Sequence, residues 1–219
     1  LGADRKETPL RYSPLVAQYT FSNFGESGDL TGNLGLVVNL NSNPRDVDCQ
    51  GVQMEQFACR RAHARPGFSI FRGDVGYSHR LFGWEGMAKL DFQISGQPLV
   101  SPEMILAGGM DSVRGYYEGE VAGDVGWRLR SELRTPTLVE FAGSNLRVVG
   151  FVEGGRVWLN EPLPGQVADF SLASAGLGLN FKGRKGGPLF VMDVAQALQD
   201  GPRTERGSRR VHVRLGYEF

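Results

Sequence analysis

The feature that most limits what this chain can fold into is a rhythm. Nine runs alternate apolar and polar residues, each about ten residues long or slightly more, and the connections between them are short, then long, in regular succession. The runs fall at 12–23, 30–41, 67–81, 85–96, 125–135, 145–157, 170–181, 188–198 and 209–219. A period of two places successive side chains on opposite faces of a strand. A length of about ten exceeds the roughly five or six residues usual in soluble sheets and matches what a tilted strand needs to cross a bilayer. The connections at 25–29, 82–84, 136–144 and 182–187 are short, and those at 42–66, 97–124, 158–169 and 199–208 are long. Turns on one side and long loops on the other are the pattern of an outer-membrane barrel.

The faces point the same way. In the second run Leu34, Leu36, Val38 and Leu40 oppose Asn33, Gly35, Val37 and Asn39. In the fourth, Trp84, Gly86, Ala88, Leu90, Phe92 and Ile94 oppose Met87, Lys89, Asp91 and Gln93. The fifth sets Trp127, Leu129 and Leu133 against Arg128, Arg130, Glu132 and Arg134. On a soluble protein the charged face would be the exterior. With segregated loops it reads as a water-filled lumen lined by Arg128, Arg130 and Glu132, and the apolar stripe reads as a lipid-facing band. Trp84, Trp127 and Trp158 fall near strand ends, where interfacial aromatics belong.

No run of eighteen apolar residues exists, so no helical membrane span is expected. The 24 basic and 24 acidic residues balance, which gives no electrostatic argument for a nucleic-acid partner. The first residues, Leu1 to Glu7, hold neither an initiator Met nor the apolar core of a signal peptide; either the chain is soluble and trimmed or its beginning lies upstream. Cys49 and Cys59 are the only cysteines, and no paired His spacing accompanies them, so a metal site is not expected. A disulfide closing this polar loop is favoured over two free thiols and would place the chain in an oxidising compartment.

Nine strands is an odd count for a bacterial single-chain barrel, and an open sheet cannot sit in hydrocarbon with its edge N–H and C=O groups unpaired. The chain is therefore read as part of a larger all-β, antiparallel transmembrane barrel, with residues 1–219 forming one unit and no linker. Alone, this segment is expected to aggregate through its two open edges.

The connection at 97–124 is too long and glycine-rich for a hairpin, and long loops in compact architectures usually carry a function. It contains Gly108-Gly109, Ser112, then Val113-Arg114-Gly115-Tyr116, followed by Gly123-Asp124-Val125-Gly126 and a strand with Arg130, Glu132 and Leu133. This constellation resembles the outer-membrane transporters of two-partner secretion, the haemolysin secretion/activation type, whose superfamily also contains the assembly factor for outer-membrane proteins. In that family the loop is the sixth extracellular loop of a sixteen-strand barrel, and five strands follow it, as five runs follow here. The resemblance covers nearly the whole chain and is densest from 108 to 219.

The resemblance implies that the loop folds back into the lumen and that Arg114 pairs with an acid in a Phe-x-Asp-x-Gly motif on the second strand after it. Here that place holds Phe151-Val152-Glu153-Gly154-Gly155, with Glu for Asp. Parity agrees, because Arg147, Val149, Phe151, Glu153 and Gly155 share one face. It further implies upstream strands, periplasmic domains and a signal peptide, a large secreted partner such as a haemolysin or adhesin, outer-membrane lipid around the barrel, and no cofactor. Leu215, Tyr217 and Phe219 look like the C-terminal signal by which the barrel-assembly machinery recognises such chains. His63, His79 and His212 are scattered, no nucleophile elbow or phosphate loop occurs, and the sequence points to no enzyme. The competing readings are an assembly factor of the same superfamily, a passive outer-membrane channel, and a soluble β-barrel binding module.

Overall fold

The computed structural model describes residues 10–40, 45–141, 143–184 and 187–217; Phe219 of the expected C-terminal signal lies outside them. In chain order the elements are β1 (Leu15–Phe24), β2 (Gly28–Asn39), β3 (Asp46–Cys49), β4 (Val52–Glu55), α1 (Gln56–Arg60), β5 (Phe68–Leu81), β6 (Trp84–Ser95), a 3-10 turn (Ser101–Glu103), β7 (Ile105–Ala107), β8 (Val121–Gly123), β9 (Val125–Arg134), β10 (Val139–Phe141), β11 (Ser144–Trp158), β12 (Asp169–Lys182), β13 (Pro188–Ala197) and β14 (Arg209–Tyr217). Nine long strands form one antiparallel sheet in the order β1-β2-β5-β6-β9-β11-β12-β13-β14, with the short β10 on β11. β1 and β14 are its two edges, so the described strands make an open wall.

The wall is inside out relative to a soluble sheet. Leu36, Phe71, Ile94, Leu133, Val152, Leu177, Val211 and Val213 stand exposed on its apolar face. On the opposite face Asn39, Gln93, Glu153, Ser174 and Asp193 are buried. Burying the polar face and exposing the apolar one is favourable only where the outer solvent is itself apolar. Leu215 and Tyr217 lie on that exposed apolar face.

Antiparallel succession puts the β1 to β2, β5 to β6, β9 to β11 and β12 to β13 connections at one end and the β2 to β5, β6 to β9, β11 to β12 and β13 to β14 connections at the other, the mouth. The long connections carry small elements that the strand rhythm did not reveal. β3 and β4 pair as a hairpin, and β7 pairs with β8. Glu55 caps α1 by accepting from the N–H of Phe57 (2.7 Å) and Ala58 (3.2 Å). Cys49 and Cys59 are bridged, tying β3 to α1.

Two apolar clusters sit on the polar side of the wall. At the mouth Val37, Phe57, Ala64, Phe68, Ile70, Leu99 and Val100 pack together, with Tyr12 partly buried against them. Under the long loop Ile105, Ala107, Val113, Tyr116, Val121, Val157, Leu172 and Ala197 form the second. The core thus lies between the wall and its own loops, and burial of those apolar groups offsets the conformational entropy of ordering the loops.

Candidate functional site

The hairpin β7–β8 carries the loop tip, residues 108–120, over the polar face. Gly108 and Gly109 turn the chain there at φ of +105° and +101°, conformations that side-chain-bearing residues rarely adopt. The tip then closes on itself. Gly108 N–H donates to Ser112 Oγ (2.9 Å), Gly109 N–H to Val113 O (3.2 Å), and Met110 N–H to Glu118 Oε1 (2.6 Å). Gly115 lies so close to the wall that a Cβ there would sit 2.8 Å from Ser174 Cβ and 2.9 Å from Ala197 N.

That approach delivers Arg114, 5% exposed, to three carboxylates on three strands. Its Nε donates to Glu153 Oε1 on β11 (2.7 Å), Nη1 to Asp193 Oδ2 on β13 (2.9 Å), and Nη2 to Glu132 Oε1 on β9 (2.8 Å). The backbone N–H of Arg114 donates to Glu153 Oε2 (2.7 Å), which also accepts from Ser174 Oγ (3.1 Å). Glu153 therefore bridges side chain and backbone of one residue, instead of making the parallel two-bond fork a carboxylate offers guanidinium. The guanidinium carbon lies 3.5 Å from the centroid of the Phe151 ring, and that close approach adds a cation–π contact.

Three carboxylates on one cation leave excess negative charge, and neighbouring guanidiniums balance it. Arg134 reaches Glu132 (2.9 Å) and Glu85 (3.4 Å), and Arg147 reaches Glu85 (3.2 Å). Arg130 stands directly across from Glu153 in the β9–β11 register. Glu85, Glu132, Glu153 and Asp193 are thus met by Arg114, Arg134 and Arg147, and Arg130 borders the same space.

Two further anchors hold the loop. Tyr116 is fully buried, and its hydroxyl lies 3.0 Å from Ala173 O and 2.9 Å from Gln199 O. Glu120 accepts from Arg203 N–H (2.6 Å) and from Thr204 Oγ1 (3.1 Å) in the connection after β13.

At the mouth a second arginine does similar work. Arg61, just past α1, pairs both guanidinium nitrogens with Asp124, which is fully buried. The same carboxylate accepts from the N–H of Leu99 (2.8 Å) and of Asn160 (2.7 Å), so three connections meet on one side chain. Nearby, Tyr12 donates to Glu103 Oε1 (2.6 Å). Burial first, and the Glu103 carboxylate second, push the Tyr12 phenol above its ordinary pKa.

Of the residues named from sequence, Val113, Arg114, Gly115, Tyr116, Phe151 and Glu153 converge on this one region. Gly155 lies further up β11, where an added Cβ would meet Trp127 O at 3.1 Å. Glu132 is a direct partner of Arg114, while Arg128 donates to Leu106 O (3.0 Å) at the base of the hairpin. Sequence reasoning did not single out Asp193 or Arg61. Asp193 carried a signal, since it is the lone acid on a strand face otherwise made of Leu189, Val191, Ala195 and Ala197. His212 read as incidental, yet its Nε2 lies 2.8 Å from Arg114 O. Among the described residues no group of three or more His, Cys, Asp or Glu is placed to hold a metal ion.

The loop occupies the β9 to β14 side of the wall. Beside the base of its hairpin, Gln18, Asn33, Arg72, Asp74 and Asp91, with Leu106 of β7 and Arg128 of β9, border open space of about 440 Å³.

Residues 17–181 match the profile of the haemolysin secretion/activation proteins ShlB/FhaC/HecB. The chain belongs to that family. Two solved structures share the fold of this ShlB/FhaC/HecB member. CdiB from Escherichia coli is 18% identical with a TM-score of 0.72, over 94% of this chain and 36% of that one. CdiB from Acinetobacter baumannii is 17% identical with a TM-score of 0.60, over 92% of this chain and 32% of that one. The family member described here thus spans about a third of the length of these structures. No curated protein sequence matches it significantly.

Proposed function

We propose that this chain supplies nine strands of an outer-membrane pore that exports a large partner polypeptide, such as a haemolysin or adhesin, and that Arg114 holds the loop in the lumen in the conformation competent for export. The observation that carries the reading is the saturation of Arg114 by Glu132, Glu153 and Asp193 from three strands of a wall whose outer face is apolar. The reading is supported by Gln18, Asn33, Arg72, Asp74 and Asp91, which leave polar groups facing open space beside the loop. Such a surface favours an extended, hydrated polypeptide, whose unpaired backbone groups find partners there.

On this reading the remaining strands and the periplasmic domains that receive the partner lie upstream in the full-length protein. Lipid covers the apolar band, and the last strand is what the barrel-assembly machinery engages. The test is export by the full-length transporter carrying Arg114→Ala, co-expressed with its partner. The expected result is at least about a tenfold loss of secreted partner at unchanged transporter level, since an interaction of a few kcal/mol sets the loop position. Unchanged secretion would sink the proposal. Loss of other outer-membrane barrels with intact export would instead favour an assembly factor.

A further inference from the structure

We propose that the loop tip is also a latch on the last strand, fixing β14 from inside the lumen. β14 pairs along its length with β13, and the loop tip lies over its inward face. Its inward side chains come at every second position, and three in succession meet the loop. The Arg210 guanidinium stacks 3.3 Å from the centroid of the Tyr117 ring. The Nε2–H of His212 donates to Arg114 O (2.8 Å), because a carbonyl can only accept. Arg214 Nη2 donates to Asp111 Oδ1 (3.2 Å).

Steps of two along β14 match steps of three along the loop, in opposite chain directions, so the tip lies lengthwise against the strand. The latch is distinct from the clamp. The clamp uses the side chain of Arg114 on β9, β11 and β13, whereas the latch uses its carbonyl and the flanking Tyr117 and Asp111. The two meet at one rung, since His212 is the register partner of Asp193. The exposed Arg214 and Asp111 pair contributes little. Arg210 and His212, both partly buried, carry the contact. A loop that leaves the lumen would therefore strip these contacts from the inward face of β14.

Hydrogen exchange of the full-length transporter in lipid nanodiscs tests this without reference to export, so its outcome is independent of the secretion reading. Three single variants are compared with the parent: Tyr117→Leu from the loop side, and Arg210→Ala and His212→Ala from the strand side. Amides at 209–217 are expected to exchange about tenfold faster in Tyr117→Leu and in the strand-side variants, with those at 169–182 unchanged. Unchanged exchange at 209–217 in all three would overturn the latch. So would equal acceleration of every strand, which would report general loosening of the barrel. Tyr117→Leu keeps an apolar side chain at an exposed site, so it remains informative if a strand-side variant fails to fold.

Discussion

Asp193 accepts a hydrogen bond from Arg114 across 79 residues of chain, and the space it occupies is left by Gly178 on the adjacent strand. A Cβ on Gly178 would land on Asp193 Oδ1. The position of one glycine on β12 thus decides whether a β13 carboxylate can reach a guanidinium on the loop.

Gly178→Ala is expected to push Asp193 off Arg114 and to destabilise the folded loop by about 1–3 kcal/mol, the cost of an unsatisfied buried polar group. In a double-mutant cycle with Asp193→Ala, the glycine substitution should become nearly silent, because the atom it strikes is gone. Additive effects in urea unfolding of the full-length protein would refute this account.

Arg114→Lys retains the charge but not the planar fork that serves three separate carboxylates at once. A loss of about 2 kcal/mol in loop stability is expected, with only partial export. Protease access to the loop in detergent gives the direct readout. A lysine variant indistinguishable from the parent would show that charge alone suffices.

The disulfide holds α1, and α1 presents Arg61 to Asp124. Cys49→Ser with Cys59→Ser removes a short closed loop worth about 3 kcal/mol in the chain-entropy account. Trypsin is then expected to cut after Arg60 or Arg61 in the variant and in reduced parent, but not in oxidised parent. Resistance in all three would mean that the mouth cluster around Phe57 holds the helix by itself.

Val152 stands 61% exposed at the middle of β11. If lipid covers it, Val152→Arg should cost roughly 2–4 kcal/mol in folding into vesicles. A change within about 0.5 kcal/mol, as for an ordinary solvated surface, would contradict a lipid-facing wall.

The sequence by itself determined the nine long strands, their faces and the end at which the long connections gather. These follow from a period of two and from the lengths of the gaps, which are local properties of the chain. The pairing of Arg114 with Glu153 came from the resemblance of the loop motif to a known family, with which strand parity agreed. Tertiary structure alone decided what else surrounds the cation. Asp193 is near Arg114 only because β12 and β13 pair in one register and Gly178 leaves a gap. Arg61 meets Asp124 only because a bridged hairpin and a five-residue helix turn it toward the mouth. The hairpin and helix are too short for a periodic signal, and the Arg61–Asp124 and Arg114–Asp193 contacts span 63 and 79 residues, distances over which no pattern in the chain reports proximity. The polar wall was legible one strand at a time; the meeting of Glu132, Glu153 and Asp193 on one guanidinium exists only once the strands stand side by side with the loop upon them.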